Sequence, residues 1–280
     1  MEEVHPMSKW ALYDELIAGI PDDVRVRDYG LGINWSWLDA ECGCGISYTT
    51  RGGSMRPGRR DLRGKPLKQA AELAKSWYFE DATIGVAALN AWYSQRERID
   101  ALEGLQVKYA EGPKLRVDDE PFDEQRVSGK QKRDDDVDPF EVLRPQIKAR
   151  GGDARVVVVG HFPHVEDIAE YADLTVLERN CRSEFDTPDP ACEYIIPDAD
   201  YVFLTGVTLM NKTAPRLIEL ARNAKTIMVG PSAVPAAALL DNGVDIMGGR
   251  VVEDPEKVSF CCATREAFGD ALRSFILMPA

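Results

Sequence analysis

The second half of the chain repeats one pattern, in which a short apolar run is followed by apolar residues at helical spacing. The four valines at 156–159 suit a strand that is buried on both faces. Further apolar runs occur at residues 174–177, 201–205, 226–229 and 244–247, and a helical pattern at 139–150 precedes the first strand. Strands that alternate with helices at this spacing predict an α/β fold with a Rossmann-like, doubly wound parallel sheet.

The first part of the chain has a different pattern and predicts a smaller α+β domain. Apolar residues at helical spacing predict a helix at 7–20. Two strand-like runs, 24–38 and 45–50, flank a turn-rich segment, which is typical of a hairpin. Further helices are predicted at 66–76 and 80–98, and the second of these is rich in glycine and alanine, so that another backbone could approach it closely.

Residues 105–138 separate the two patterns. Acidic and basic clusters mix there with few apolar residues, which indicates a linker or a mobile insertion. We therefore predict a first domain at 1–104, a linker or mobile insertion at 105–138 and a second domain at 139–280. The hairpin of the first domain could pair with a copy of itself, so a homo-oligomer is a possible state.

The composition is that of a globular protein, with 44% hydrophobic and 29% charged residues among 280. The formal net charge of −13 argues against a general binder of nucleic acid or of anionic membranes. No apolar run reaches the roughly 18 residues of a membrane span, and the first residues lack the apolar core of a secretory signal. We therefore expect a cytoplasmic protein whose cysteines are reduced.

One segment, residues 51–68, is basic although the chain is acidic. It contains a single acid, Asp61. Its basic residues are Arg51, Arg56, Arg59, Arg60, Arg63, Lys65 and Lys68. The segment is either a solvated loop that faces the acidic half of the protein or a guide for an anionic ligand or a partner.

The candidate chemistry lies after the predicted parallel strands, because ligands of open parallel sheets bind at the carboxyl ends of the strands. The first strand is followed by Gly160-His161-Phe162-Pro163-His164, where dinucleotide enzymes carry a glycine-rich loop. His161 poorly suits a core, and its reference pKa of about 6.5 suits an acid, a base or a metal ligand. His164 more naturally opens the next helix. The later loops supply Glu178, Thr205, Thr208, Asn211, Gly230 and Ser232.

Each of these residues also has a structural interpretation. Glu178 could pair with Arg179 or another surface charge, and the hydroxyls at Thr205, Thr208 and Ser232 could cap helices. Asn90, in the small-residue helix of the first domain, is either a ligand contact or a buried amide satisfied by an inter-helix hydrogen bond.

The cysteines offer a weaker metal site. Cys42 and Cys44 flank a glycine and could chelate a soft metal as thiolates, although a structural zinc site needs four ligands. Buried or turn thiols are the alternative. Cys261 and Cys262 would face opposite ways on a strand. The phosphate-loop and dinucleotide motifs are absent, and three histidines are too few for a His-rich metal site.

The order of these segments resembles a two-domain prokaryotic family described as "putative heavy-metal chelation" proteins. The matching segments are 45–49, 80–91 with Asn90, 159–163, 175–179, 186–190, 196–200, 204–206, Thr208-Leu209, Asn211, Thr213, 230–232 and 243–245. The resemblance implies a first domain similar to the enolase N-terminal domain, a Rossmann-like second domain and a site in the cleft between them. Lys212, where the family tends to have glycine, and Ala233-Val234 depart from its pattern.

Three functions are compatible with these residues. The leading hypothesis is that the protein binds a transition or heavy metal ion, or a small anionic metal complex or metabolite, between the domains. His161 and Glu178 would then make direct contacts, while Thr205, Thr208, Asn211, Gly230, Ser232 and Asn90 would hold the organic part. The alternative is an enzyme that acts on a small anionic metabolite, with His161 as general acid/base and Glu178 orienting it or the substrate. A third option is a partner-binding protein that uses the basic segment.

Overall fold

The computed structural model describes residues 9–55, 61–111 and 137–280. The first part of the chain forms a helix, a three-stranded antiparallel sheet and three more helices. These elements are α1 (Ala11–Ala18), β1 (Val26–Leu31), β2 (Trp35–Ala40), β3 (Gly43–Tyr48), α2 (Leu67–Ala71), α3 (Phe79–Tyr93) and α4 (Arg96–Asp100). A 3₁₀ turn, Glu72–Lys75, extends α2.

The second part alternates strands with short helices. Its elements are β4 (Leu105–Tyr109), α5 (Pro139–Lys148), β5 (Arg155–Val159), β6 (Asp173–Glu178), β7 (Asp186–Pro188), α6 (Cys192–Ile195), β8 (Tyr201–Thr205), α7 (Val207–Asn211), α8 (Ala214–Leu220), β9 (Lys225–Val229), α9 (Ala237–Asp241), β10 (Ile246–Val252), α10 (Pro255–Thr264) and β11 (Leu272–Pro279). A 3₁₀ helix, Val165–Glu170, connects β5 to β6.

The larger sheet has eight strands in the order β4-β11-β10-β9-β8-β5-β6-β7. Six strands, from β10 to β7, pair in parallel, whereas β11 pairs antiparallel with β10 and β4. When the six parallel strands are numbered in chain order with β5 as the first, their order across the sheet, read from β7 to β10, is 3-2-1-4-5-6. This is the strand order of a Rossmann sheet. The predicted α/β fold, with its smaller α+β domain, is therefore confirmed, while the likeness of that domain to enolase stays a prediction.

Several local predictions were wrong. Residues 24–38 form parts of two strands rather than one, because the chain turns at residues 32–34. Glycine at position 32 fits this turn, since a Cβ atom there would lie 2.2 Å from the Trp35 carbonyl oxygen. The last predicted parallel strand begins later, at Ile246. Cys261 and Cys262 lie in a helix, α10, and not on a strand.

The start of the predicted linker is also a strand. Residues 105–109 form β4 because the alternating apolar side chains of this segment are half-buried as it pairs with β11. Most of the remaining predicted linker, residues 112–136, lies outside the described residues. The predicted domain limits therefore stay predictions beyond this correction.

One hydrophobic core crosses from the first domain into the second. It joins Leu16 and Leu89 of the first domain to Leu204, Met210 and Leu239 of the second. Helix α3 runs through this core, and all of its residues from 81 to 91 are buried. The opposite face of the large sheet packs in a second core beneath α5. The two domains thus pack against each other largely through apolar side chains.

Close approach of backbones makes this packing possible. A Cβ atom at Gly45 in β3 would lie 2.1 Å from the backbone nitrogen of Ala91 and 2.3 Å from the carbonyl oxygen of Ala87. A Cβ atom at Gly85 in α3 would lie 2.0 Å from the backbone nitrogen of Ala74. Glycine at these two positions lets α3 lie directly against β3 and the turn after α2.

We expect Gly45→Ala to lower the free energy of unfolding by about 1–3 kcal/mol, because the added methyl group must displace backbone rather than a side chain. Urea unfolding followed by circular dichroism measures this change. Gly19→Ala is the matched control, since its methyl group would meet the end of the Tyr93 side chain, which can move. Equal costs for the two variants would contradict the proposed packing of α3.

Candidate functional site

The strand order of the large sheet reverses between β5 and β8. The 3₁₀ helix after β5 packs on one face of the sheet through Val165 and Ile168. Helix α7, after β8, packs on the other face through Leu209 and Met210. The chain leaves the two strands in opposite directions, which is the geometry that forms ligand-binding crevices in this class of fold.

The loops that follow β5, β8 and β9 contact one another. A Cβ atom at Gly160 (φ +94°) would lie 3.0 Å from Thr205 Cγ2, and one at Gly206 would lie 2.2 Å from the carbonyl carbon of Ser232. At Gly230 (φ +104°) the same atom would lie 3.9 Å from the Phe162 ring. The ends of these three strands are therefore gathered at one edge of the sheet.

His161 lies at this edge and contacts a buried carboxylate. Its side chain is 33% exposed, and its Nε2 lies 2.9 Å from Oδ1 and 3.1 Å from Oδ2 of Asp186. The Asp186 side chain is fully covered. It accepts hydrogen bonds from the Arg182 backbone N–H at 2.5 Å, the Ser183 backbone N–H at 2.9 Å and Ser183 Oγ at 3.0 Å.

These hydrogen bonds determine the charge of Asp186. Burial by itself would raise the pKa of this carboxyl group, but the Arg182 N–H, His161 and Ser183 outweigh burial and hold the pKa well below its usual range. The carboxylate is consequently ionised at neutral pH. Asp186 was not among the predicted site residues, because the three-residue strand β7 that carries it is too short for hydrophobic periodicity to reveal.

Glu178 bonds to the backbone of the loop that follows it. Its Oε1 accepts hydrogen bonds from the backbone N–H groups of Arg179, at 2.7 Å, and Asn180, at 3.4 Å. The Arg179 guanidinium pairs with Asp189 instead, at 3.0 Å. The carboxylate that contacts His161 is Asp186, and the predicted contact of Glu178 with a ligand stays a prediction. Glu178 still stands beside the loop after β5, since β6 pairs with β5 along its length.

The hydroxyl and amide groups after β8 bond within their own turn. Thr205 Oγ1 accepts from the Val207 N–H at 3.3 Å, and Thr208 Oγ1 donates to the Thr205 carbonyl at 2.7 Å. Asn211 Oδ1 accepts from the Thr213 N–H at 3.1 Å and from its hydroxyl at 2.6 Å. These side chains therefore bond within their own turns, although none of them caps α7 or α8 with a side-chain hydrogen bond, and their contact with a ligand stays a prediction.

Ser232 and Asn90 connect the two domains. Ser232 Oγ accepts from the Tyr48 backbone N–H at 2.8 Å. Asn90 Nδ2 donates to the carbonyls of Ile46, at 2.9 Å, and Pro231, at 3.1 Å, while its Oδ1 accepts from Ser94 Oγ at 3.0 Å. Both side chains are buried, and their hydrogen bonds attach the loop after β9 to β3 and α3.

Lys212 forms a second polar connection between the domains. The backbone of Lys212 adopts the left-handed conformation (φ +68°). Its Nζ donates hydrogen bonds to the carbonyl oxygens of Met210, at 2.6 Å, and Ser76. The ammonium group stands 5.5 Å from the centre of the Trp77 ring and 5.6 Å from that of Phe79. Burial lowers the pKa of Lys212 to about 8.

The predicted residues therefore fall into two groups. His161 and Glu178 lie at the open tips of β5 and β6, whereas Thr208, Ser232 and Asn90 are buried around the domain interface. In the described part of the chain, no hydrogen bond or ion pair joins His161 to Asn211 or Ser232. Two cavities, of about 50 Å³ beside Tyr29 and about 240 Å³ beside Tyr194, lie away from His161.

Among the described residues, Cys42 and Cys44 have no further metal-ligating side chains grouped with them. Burial raises the pKa of both Cys42 and Cys44, and Cys42 Sγ donates to the Ala91 carbonyl. Among residues 9–55, 61–111 and 137–280, no group of three or more His, Cys, Asp or Glu side chains is arranged to hold a metal ion. Binding of a soft metal by Cys42 and Cys44 alone stays a prediction.

The basic segment is described only in part. Arg56, Arg59 and Arg60 lie outside the described residues. Arg63 pairs with Asp28 and Asp61, and Lys68 pairs with Asp22. A ligand or partner role for this segment stays a prediction.

The helices of the described ranges include none with the length and apolar character of a membrane span.

Fold and site together define a two-domain α/β protein with a Rossmann sheet. Residues 145–263 match the DUF364 family and residues 13–93 match the DUF4213 family, and both are described as "Putative heavy-metal chelation". A crystal structure of a DUF364 protein of unknown function from Desulfitobacterium hafniense is 31% identical, with a TM-score of 0.74 over 97% of this chain and 99% of that chain. The chain belongs to the DUF364 family.

Two other proteins extend this comparison. A DUF364 structure from Pyrococcus horikoshii shares the fold, with a TM-score of 0.69 and 17% identity over 95% of this chain and 97% of that chain. An uncharacterized protein of Methanocaldococcus jannaschii is 26% identical over 78% of this chain and 74% of its own length. The predicted family resemblance is confirmed, and the family descriptions suggest metal binding at a general level.

We expect Ser232→Ala to lower the free energy of unfolding by about 1–3 kcal/mol, because it leaves the Tyr48 N–H without its acceptor. Chemical denaturation measures the loss. Ser54→Ala, at an exposed serine, is the control and should change stability little. If both variants changed the free energy of unfolding by a similar small amount, the hydrogen bond from the Tyr48 N–H to Ser232 would not stabilise the fold.

The wild-type protein should gain stability relative to Lys212→Met as the pH rises from about 8 to about 10.4. In this window the unfolded chain holds a proton that the folded Lys212 has lost, so unfolding becomes less favourable with pH, by up to about 3 kcal/mol. Denaturation of both proteins at the two pH values measures the difference. Lys65→Met, at an exposed lysine, should show no such trend, and a pH-independent difference for Lys212→Met would refute this expectation.

Proposed function

We propose that this protein binds a metal ion presented as a small anionic chelate at the open tips of β5 and β6, with His161 as the direct protein ligand. The observation that carries the proposal is the partly exposed His161 imidazole, held by a buried carboxylate at the point where the strand order reverses. Imidazole is a common ligand of transition metals, and an imidazole that binds metal usually has a carboxylate or carbonyl behind it.

A chelate fits this site better than a bare ion. Among the described residues, no third His, Cys, Asp or Glu completes a metal site, so a bare ion would have His161 and at most Glu178. A small molecule that already holds the metal would supply the missing ligands. Arg179 and Arg182, which lie in the loop that follows β6 and Glu178, would favour the negative charge of such a molecule.

The buried polar residues have a supporting role in this proposal. Thr208, Ser232 and Asn90 are nearly inaccessible and already hydrogen-bonded. Together with Gly230 they would shape the floor beneath the ligand, whereas Thr205 and Glu178 are only half-buried and can contact it. The ligand would therefore lie over the ends of β5, β6 and β8.

His161→Ala should weaken binding of Ni²⁺–nitrilotriacetate by about tenfold or more, which corresponds to about 1.4 kcal/mol. This chelate leaves part of the coordination sphere of the metal open to an imidazole. Calorimetry on untagged protein measures binding, and Ni²⁺ alone tests whether the chelate is preferred. Elemental analysis of anaerobically purified protein reports any metal that is retained.

His164→Ala is the matched control, because it removes an imidazole three positions along the same loop. It should bind the chelate as the wild type does. The proposal fails if His161→Ala binds unchanged, or if the wild type binds neither probe more tightly than about 1 mM, roughly 4 kcal/mol.

The His161–Asp186 contact also favours a second candidate, an enzyme that acts on a small anionic metabolite. A carboxylate that orients an imidazole is the arrangement of many general acid–base catalysts. Screening anionic metabolites by thermal shift separates the two candidates, because a tight ligand raises the melting temperature by mass action. Turnover of a stabilising metabolite that His161→Ala abolishes without loss of folding would favour the enzyme.

A further inference from the structure

We propose that Asp186 is a positioning residue that fixes the tautomer of His161, so that Nδ1 and not Nε2 is the atom offered to the ligand. The tautomer assignment stands on hydrogen-bond geometry alone. Its consequence for binding rests on the function proposed above.

The hydrogen-bond donors around Asp186 require its carboxylate to act as an acceptor. Oδ2 accepts from the backbone N–H groups of Arg182 and Ser183, which can only donate, so this oxygen has no place for a proton. Ser183 Oγ contacts the other oxygen, Oδ1. The His161 nitrogen that faces such a carboxylate must donate, so Nε2 carries the hydrogen and Nδ1 of the neutral ring keeps its lone pair.

The position of Asp186 does not depend on His161. Asp186 is the first residue of β7, and it pairs with Val176 of β6. Its other contacts come from the turn directly before it, which belongs to the same connection between β6 and β7. His161 comes from a different loop, after β5, and its Nδ1 makes no hydrogen bond within the described part of the chain. The carboxylate is therefore in place before any ligand binds.

Asp186→Asn should reverse the tautomer. The single carbonyl oxygen of asparagine must still accept from the Arg182 and Ser183 N–H groups, so the amide NH₂ takes the place of Oδ1 beside His161. His161 Nε2 must then accept, and the hydrogen moves to Nδ1, where it blocks a metal. We expect a loss of about 10–100-fold in affinity for Ni²⁺–nitrilotriacetate.

Long-range ¹H–¹⁵N spectra of metal-free protein with ¹⁵N-labelled histidine report the tautomer directly. His161→Ala and His164→Ala assign the signals. We expect the Nε2–H form in the wild type and the Nδ1–H form in Asp186→Asn. An Nδ1–H form in the wild type overturns the proposal, as does an Asp186→Asn variant with unchanged tautomer and affinity.

Two further variants keep the test decisive. Asp189→Asn removes a nearby carboxylate that pairs with Arg179 and not with His161, and it should leave the tautomer of His161 unchanged. Ser183→Ala removes only the contact to Oδ1 and should preserve the Nε2–H form even if Asp186→Asn does not fold. The tautomer is measured in metal-free protein, so the spectra test the role of Asp186 independently of ligand binding. Unchanged binding of the chelate by His161→Ala would instead contradict the proposed function.

Discussion

The docking of helix α3 against the second domain is the constraint on which the rest of the structure depends. This helix is buried along most of its length, and the core around it contains side chains of both domains. Asn90 and Ser232 place hydrogen bonds inside this apolar contact. A buried polar group without its partner is costly, so these bonds allow one register of the two domains and hold the loop after β9 in place.

This docking divides the strand tips of the Rossmann sheet into two sets. The ends of β8 and β9 lie near the first domain, where their hydroxyl and amide groups bond to the protein itself. The ends of β5 and β6 stay open and carry His161 and Glu178. Polar residues after parallel strands thus serve either a ligand or a neighbouring domain, and the same residue types suit both purposes.

This ambiguity explains how much could be predicted from the sequence. The parallel strands were evident because the valine run at 156–159 and its successors are continuous and apolar, which only a doubly covered sheet accommodates. His161 was evident because an imidazole beside Pro163 has no packing role. The use of Ser232 and Asn90 between domains could not be foreseen, since it depends on contacts distant in sequence. Asp186 was missed because β7 is very short, and β4 because it borders a highly charged segment.

The pairing of β4 with β11 affects how a ligand can reach the strand tips. The chain passes from the first domain into β4, which is hydrogen-bonded along the edge of the large sheet. Because β4 belongs to the large sheet, the direct connection between the domains is reduced to the short turn at residues 101–104, between α4 and β4. Because the His161 side chain is already 33% exposed, the proposed ligand would reach it without any separation of the two domains.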